Sequence, residues 1–189
     1  MLVNTHIKEV KDLKGLTKGH VLYFFEDEDQ YITNVVDFIK SGLELNEYSV
    51  MVENDRDTLL IRKKLMSLFN EDILKKVIFV NNYDFYYAKG NFRINSIFDF
   101  LPNLLEDDPS QKLAVRSWAH VEWRDEQEVC KKLSESEKAA DLIVAETKLF
   151  SVCAYDSNRV SEELKENLLT SHKFLINDQV SKEGKLNIL

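Results

Sequence analysis

The sequence predicts an α/β protein on a mainly parallel central sheet, and three observations predict it. Short β-rich runs alternate with longer stretches of helical period, the order that βα units impose on a chain. The 189 residues are 44% apolar and 31% charged, enough to fill one core and wet its surface. With only 5 Gly and 2 Pro, no Ser/Gly linker and no internal repeat, nothing marks a boundary, so residues 1–189 read as a single domain.

Six strands are expected, at 21–25, 48–53, 77–81, 113–119, 150–155 and, with a weaker pattern, 173–176. After the first, Tyr31, Val35, Phe38, Ile39 and Gly42 recur at spacings of three and four, which describes one apolar helical face. Asp27 followed three residues later by Gln30 forms a capping box at its start. A second helix is expected over 55–69, with Leu59, Leu60, Arg62 and Lys63 dividing inner and outer faces. A third runs over 94–105, ended or kinked by Pro102. The fourth, 126–147, is the longest and most charged. Ala139, Ala140, Leu142, Ile143 and Val144 should be buried there, and Lys131, Lys132, Glu135 and Lys138 solvated. The last helix covers 161–170.

Lys and Arg number 25 against 33 Asp and Glu, a net charge of -8 that steers away from polyanions, so DNA, RNA and anionic membrane are not expected partners. Two cysteines, Cys130 and Cys153, cannot staple a chain of this size, which suits a reducing cytoplasm. No apolar run reaches the roughly 20 residues that cross a bilayer, and the opening segment is charged where a signal peptide is apolar; a cytoplasmic location is expected.

In parallel sheets ligands gather at the carboxyl ends of the strands. After the first strand stands Glu26-Asp27-Glu28-Asp29-Gln30, where a phosphate-binding loop needs glycines and a lysine. Four carboxylates repel a phosphate. They either meet the positive end of the first helix, the preferred reading, or hold a cation. Glu53, Asn54, Asp55, Asn81, Asn82, Asp84, His120, Glu122, Asp156 and Asn158 complete an acid-rich rim. Aromatic residues crowd nearby, among them Tyr23, Tyr83, Trp118 and Trp123, and suit either a pocket for a small neutral or cationic ligand or an ordinary core. His6, His20, His120 and His172 lack the spacing that sets two on one helical face, so no metal is expected. Cys153, mid-strand, reads as an inert buried thiol, with Cys130 the more exposed. No G-x-S-x-G elbow or Ser/His/Asp motif supports hydrolysis.

The stretch from Gly19 to Asp27, then Phe38-Ile39-Lys40-Ser41-Gly42-Leu43 and Tyr48 to Val52, resembles the opening of the MEDS domain, the sensory domain of methanogen and methylotroph regulators typified by DcmR. Tyr87 to Phe92 resembles its Y-x-x-G-x-F segment, and Leu113 to Arg116 with Trp123 its arginine strand and tryptophan. Glu137 matches a helical glutamate, Cys153 to Asp156 a C-x-Y-D box, and Leu168 to His172 the closing histidine, so the likeness spans 19–176. It implies a three-layer sandwich with the strand order of RecA- and KaiC-like ATPases and the phosphate loop lost. It also implies a sensor of small molecules, such as hydrocarbon derivatives, that signals to kinase or DNA-binding parts.

The resemblance selects His20, Tyr23, Glu26, Arg116, Trp123, Glu137 and Asp156 as the ligand site, with no catalytic residue and no cofactor. Arg116 needs a carboxylate partner if buried, and Glu137 and Asp156 are the candidates, in a structural pair or a ligand contact. The leading reading is a stand-alone, non-enzymatic sensory domain that engages a small molecule or a regulatory protein, a kinase or transcription regulator, with self-association left open. The alternatives are an atypical nucleotide switch, with carboxylates holding Mg²⁺ and Arg116 or Arg124 the phosphates, and a pure protein-interaction scaffold.

Overall fold

The structure, a computed structural model, describes residues 5–7, 10, 13, 18–92, 114–132 and 149–177. Among the described residues seven strands form one sheet: β1 (Thr5–Ile7), β2 (Gly19–Phe25), β3 (Tyr48–Glu53), β4 (Val77–Asn81), β5 (Val115–His120), β6 (Phe150–Asp156) and β7 (Phe174–Asn177). Their order is β1-β7-β2-β6-β5-β3-β4, and every pairing is parallel. The helices are α1 (Glu28–Glu44), α2 (Asp55–Met66), α3 (Glu71–Leu74), α4 (Asn82–Tyr87) and α5 (Glu162–Ser171), with a further helical stretch at 126–132.

The layers follow from the period-two alternation of the strands. One face carries Val21, Tyr23, Met51, Trp118 and Val152, packed against Tyr31, Val35, Phe38 and Ile39 of α1 and Ile61 and Leu65 of α2. The other carries Leu22, Val50, Val52, Ala119 and Cys153 under Phe85 and Tyr86 of α4, Val129, and Leu164 and Leu168 of α5. Fully burying one such side chain contributes about 1.5–3 kcal/mol, so two apolar faces are what force helices onto both sides of the sheet. The result is the expected three-layer α/β sandwich.

Local chemistry sets the helix starts. Asp27 caps α1 and accepts from the backbone N–H of Gln30 at 2.8 Å, but the Gln30 amide donates to Asn34 instead, so only half of the expected capping box forms. Asn54 caps α2 and thereby sets its phase. Asp57, Ile61 and Leu65, four residues apart, face inward, whereas Leu59 and Leu60 are 69% and 44% exposed. This corrects the inner face read from the local leucine spacing.

All six expected strands begin and end within two residues of the observed ones. The edge strand β1 and the short helices α3 and α4 were not anticipated, because three to six residues cannot display a period. The expected third helix lies outside the described residues, as does the fourth beyond residue 132, and with it Glu137.

Candidate functional site

The chain leaves β2 through α1 toward β3 on one side and leaves the adjacent β6 through α5 toward β7 on the other. Neighbouring strands whose connections depart in opposite directions leave a crevice between their carboxyl ends. A cleft of about 260 Å³ lies there, lined by Phe24, Glu26, Ser157, Asn158, Val160, Glu162 and Lys165. Its floor is stitched across the two strands. The Ser157 hydroxyl and backbone N–H both donate to the Phe25 carbonyl at 2.8 Å, and the Asn158 amide reaches the Glu26 carbonyl at 3.4 Å. Asp156 accepts from the backbone N–H of Asn158 at 2.9 Å and so shapes the turn.

Beside the cleft, at the ends of β3 and β5, lies a buried acid–imidazole network. Glu53 takes the Tyr31 hydroxyl at 2.5 Å, the Asn54 backbone N–H at 2.8 Å and His120 Nδ1 at 2.6 Å. The Trp118 indole N–H donates to the same Tyr31 oxygen at 3.1 Å. Asp57 accepts from the Asn54 amide at 3.0 Å, and Glu122 from the Asn82 amide at 2.6 Å. Arg159 donates to the Trp123 carbonyl at 2.7 Å, pairs with Glu122 at 3.5 Å and lies over the Trp123 ring, tying the cleft's turn to the network.

Burial pulls the His120 imidazole down, but Glu53, Glu122 and Asp57 outweigh it and hold its pKa above the ordinary histidine value. Burial raises Glu122, yet His120, the two asparagine amides and Arg159 bring it below the usual carboxylate range. Burial, then Glu53, drive Tyr31 well above the usual phenol value. Glu53, Asp57 and His120 each bring a ligand atom within 4.8 Å of the others. Glu53 accepts from Tyr31 and the Asn54 backbone and Asp57 from the Asn54 amide, while His120 compensates their buried charge.

The six expected site residues that lie within the described residues do not converge on one pocket. Glu26 lines the cleft, Asp156 shapes the turn beneath it without lining it, and Trp123 is buried close by against Tyr155 and Arg159. Tyr23 is buried on the α1 face, where the Asn34 amide donates to its hydroxyl at 2.7 Å. His20 lies on the opposite face of β2 near its amino end, against Cys153 and His172. Arg116 is 1% exposed, and its carboxylate partner among the described residues is Glu47, not Asp156. Its guanidinium engages Glu47 at 2.5 Å and donates to the Phe38 carbonyl at 3.1 Å and the Ser41 hydroxyl at 2.6 Å. Asp156 is spent on its own turn, and Glu47 sits on the loop that β3 places against Arg116.

Sequence reasoning placed Glu53, His120 and Glu122 on the rim but missed Tyr31, Asp57 and Lys165. The apolar spacing places Tyr31 on the inner face of the first helix without revealing its hydroxyl's role, and the inward phase of Asp57 depends on the Asn54 cap.

Residues 19–173 match the family described as MEDS, MEthanogen/methylotroph, DcmR Sensory domain. No curated protein matches the chain.

Proposed function

The chain belongs to the MEDS family of sensory domains, and on that premise we propose that it binds a small polar molecule in the cleft between β2 and β6 and signals to a regulatory protein without catalysis of its own. The position of the cleft carries this reading: it occupies the topological switch point, where open parallel sheets bind ligands. Its volume suits a molecule smaller than the drug-sized ligands of about 300–1,000 Å³ pockets. Glu26 and Glu162 against the single Lys165 favour a neutral or cationic ligand.

The turn from Glu26 to Gln30 has no glycine and no lysine, which disfavours a nucleotide phosphate at the head of α1. The acidic side chains Glu28 and Asp29 instead sit in the first turn of α1, where its dipole welcomes them. Binding in the cleft bears on α5, whose first turn forms one wall, and so has a route to the helical surface that a partner protein would touch.

The test is a thermal-shift screen of short alcohols, amides and amines. A compound at about 100 times its Kd should raise the melting temperature by roughly 5–10 °C. Asn158→Trp, which places an indole at the exposed lip of the cleft, should abolish that shift. A shift unchanged in the variant would remove the cleft from the account.

A further inference from the structure

On the face of the sheet opposite α1, and away from the cleft, three nitrogen and sulfur donors from distant parts of the chain come together. His20 near the start of β2, Cys153 in the middle of β6 and His172 at the C-cap of α5 are 5%, 7% and 1% exposed. Their candidate ligand atoms all lie within 4.8 Å of one another. His20 Nε2 stands 3.1 Å from Cys153 Sγ, and the two imidazole rings are 4.1 Å apart between centroids. We propose that His20, Cys153 and His172 form a binding site for a transition-metal ion of the zinc class.

The donor set selects the metal. One thiolate and two imidazoles suit zinc and its neighbours and exclude calcium and magnesium, which take oxygen ligands. The spacing is close to what a tetrahedral ion needs. Metal–nitrogen and metal–sulfur bonds of about 2.0–2.1 and 2.3 Å set ligand separations of roughly 3.3–3.6 Å; His20 and Cys153 would open slightly from 3.1 Å, and His172, within 4.8 Å of both, would settle to the same separation.

The orientation of His172 is already that of a ligand. Its Nδ1 lies 2.9 Å from the Leu168 carbonyl, an acceptor only, so Nδ1 carries the proton and Nε2 the lone pair. A backbone carbonyl holding the far nitrogen in this way is the usual support of a metal-bound histidine. The surroundings agree, because Leu22, Leu164, Leu168 and Leu175 make this face apolar, and a dry shell strengthens the hold of charged ligands on an ion. On binding, the Cys153 thiol releases its proton to solvent, its sulfur and the two imidazole nitrogens each donate an electron pair, and one coordination position remains for a fourth ligand. The ion would fasten the end of α5 to β2 and β6. The proposal stands whether or not the cleft binds a small molecule.

The experiment titrates metal-free protein, prepared by dialysis against a chelator, with Co²⁺ as a spectroscopic stand-in and then with Zn²⁺. The expected result is one Co²⁺ per chain with a sulfur-to-cobalt charge-transfer band that Zn²⁺ removes. Cys153→Ser should lose the band. His20→Gln and His172→Gln should each weaken binding by more than about tenfold. Cys130→Ala should retain both band and affinity, which separates this cluster from a surface thiol. Circular dichroism of each variant establishes that it is folded, and His172→Asn supplies a second, smaller replacement if His172→Gln is not. Absence of stoichiometric binding would overturn the proposal, as would a band that survives Cys153→Ser and disappears in Cys130→Ala.

Discussion

The Arg116 guanidinium passes directly over Gly42 to reach Glu47: a Cβ at Gly42 would lie 2.7 Å from Arg116 Cδ. The glycine of α1 is therefore the space through which a buried charge reaches its partner. Burial draws the Arg116 pKa down and Glu47 opposes it. The Phe38 and Phe150 rings stack near the guanidinium at 4.9 and 5.7 Å.

Breaking this pair should be costly. Arg116→Met strands Glu47 and removes donors from the Phe38 carbonyl and Ser41, and should lower stability by about 3–5 kcal/mol in urea denaturation. Gly42→Ala should cost about 1–3 kcal/mol by overpacking. Because the alanine methyl meets the arginine stem, the double variant should lose less than the sum of the two. Strict additivity would mean that the two residues do not share this space.

That relationship marks how far the sequence could be read. The strands were legible because both faces of each inner strand are apolar, so their runs stand out without a partner. The layer order was legible from the βα alternation. What the sequence hid was pairing at a distance: Glu47 and Arg116 are 69 residues apart, and His20 and Cys153 are 133 apart. Helix phase was hidden too, since Asn54 turns Asp57 inward and Leu59 outward through a cap that the leucine spacing does not reveal.

Stability should depend on pH through His120 and Glu122. The folded pKa of His120 is raised, so its contribution is complete below the unfolded value of about 6.5 and is lost as pH rises through the folded value. Glu122 is depressed, so its contribution is present above its unfolded value and is lost as pH falls through the folded one. Denaturation midpoints of His120→Gln should lack the loss on the alkaline side, and those of Glu122→Gln should flatten the acid side. A His120→Gln profile that parallels the wild type would contradict the network.

Native thiol labelling should modify Cys130 before Cys153, since Cys130 is half-buried on the 126–132 helix and Cys153 is buried under α5. The reverse order would misplace β6.

Isothermal calorimetry with Mg-ATP should show no saturable heat at micromolar nucleotide, because Glu26, Asp27, Glu28 and Asp29 present carboxylates where a phosphate needs N–H donors. Micromolar binding lost in Arg124→Ala would favour the nucleotide-switch reading instead.

The most direct test of the central claim is the map of backbone amide shifts on adding the best small alcohol, amide or amine from the thermal screen. The account predicts saturable changes concentrated at Glu26, Ser157, Asn158 and the first turn of α5, around Glu162 and Lys165. Changes confined to residues away from the β2 and β6 exits would contradict it.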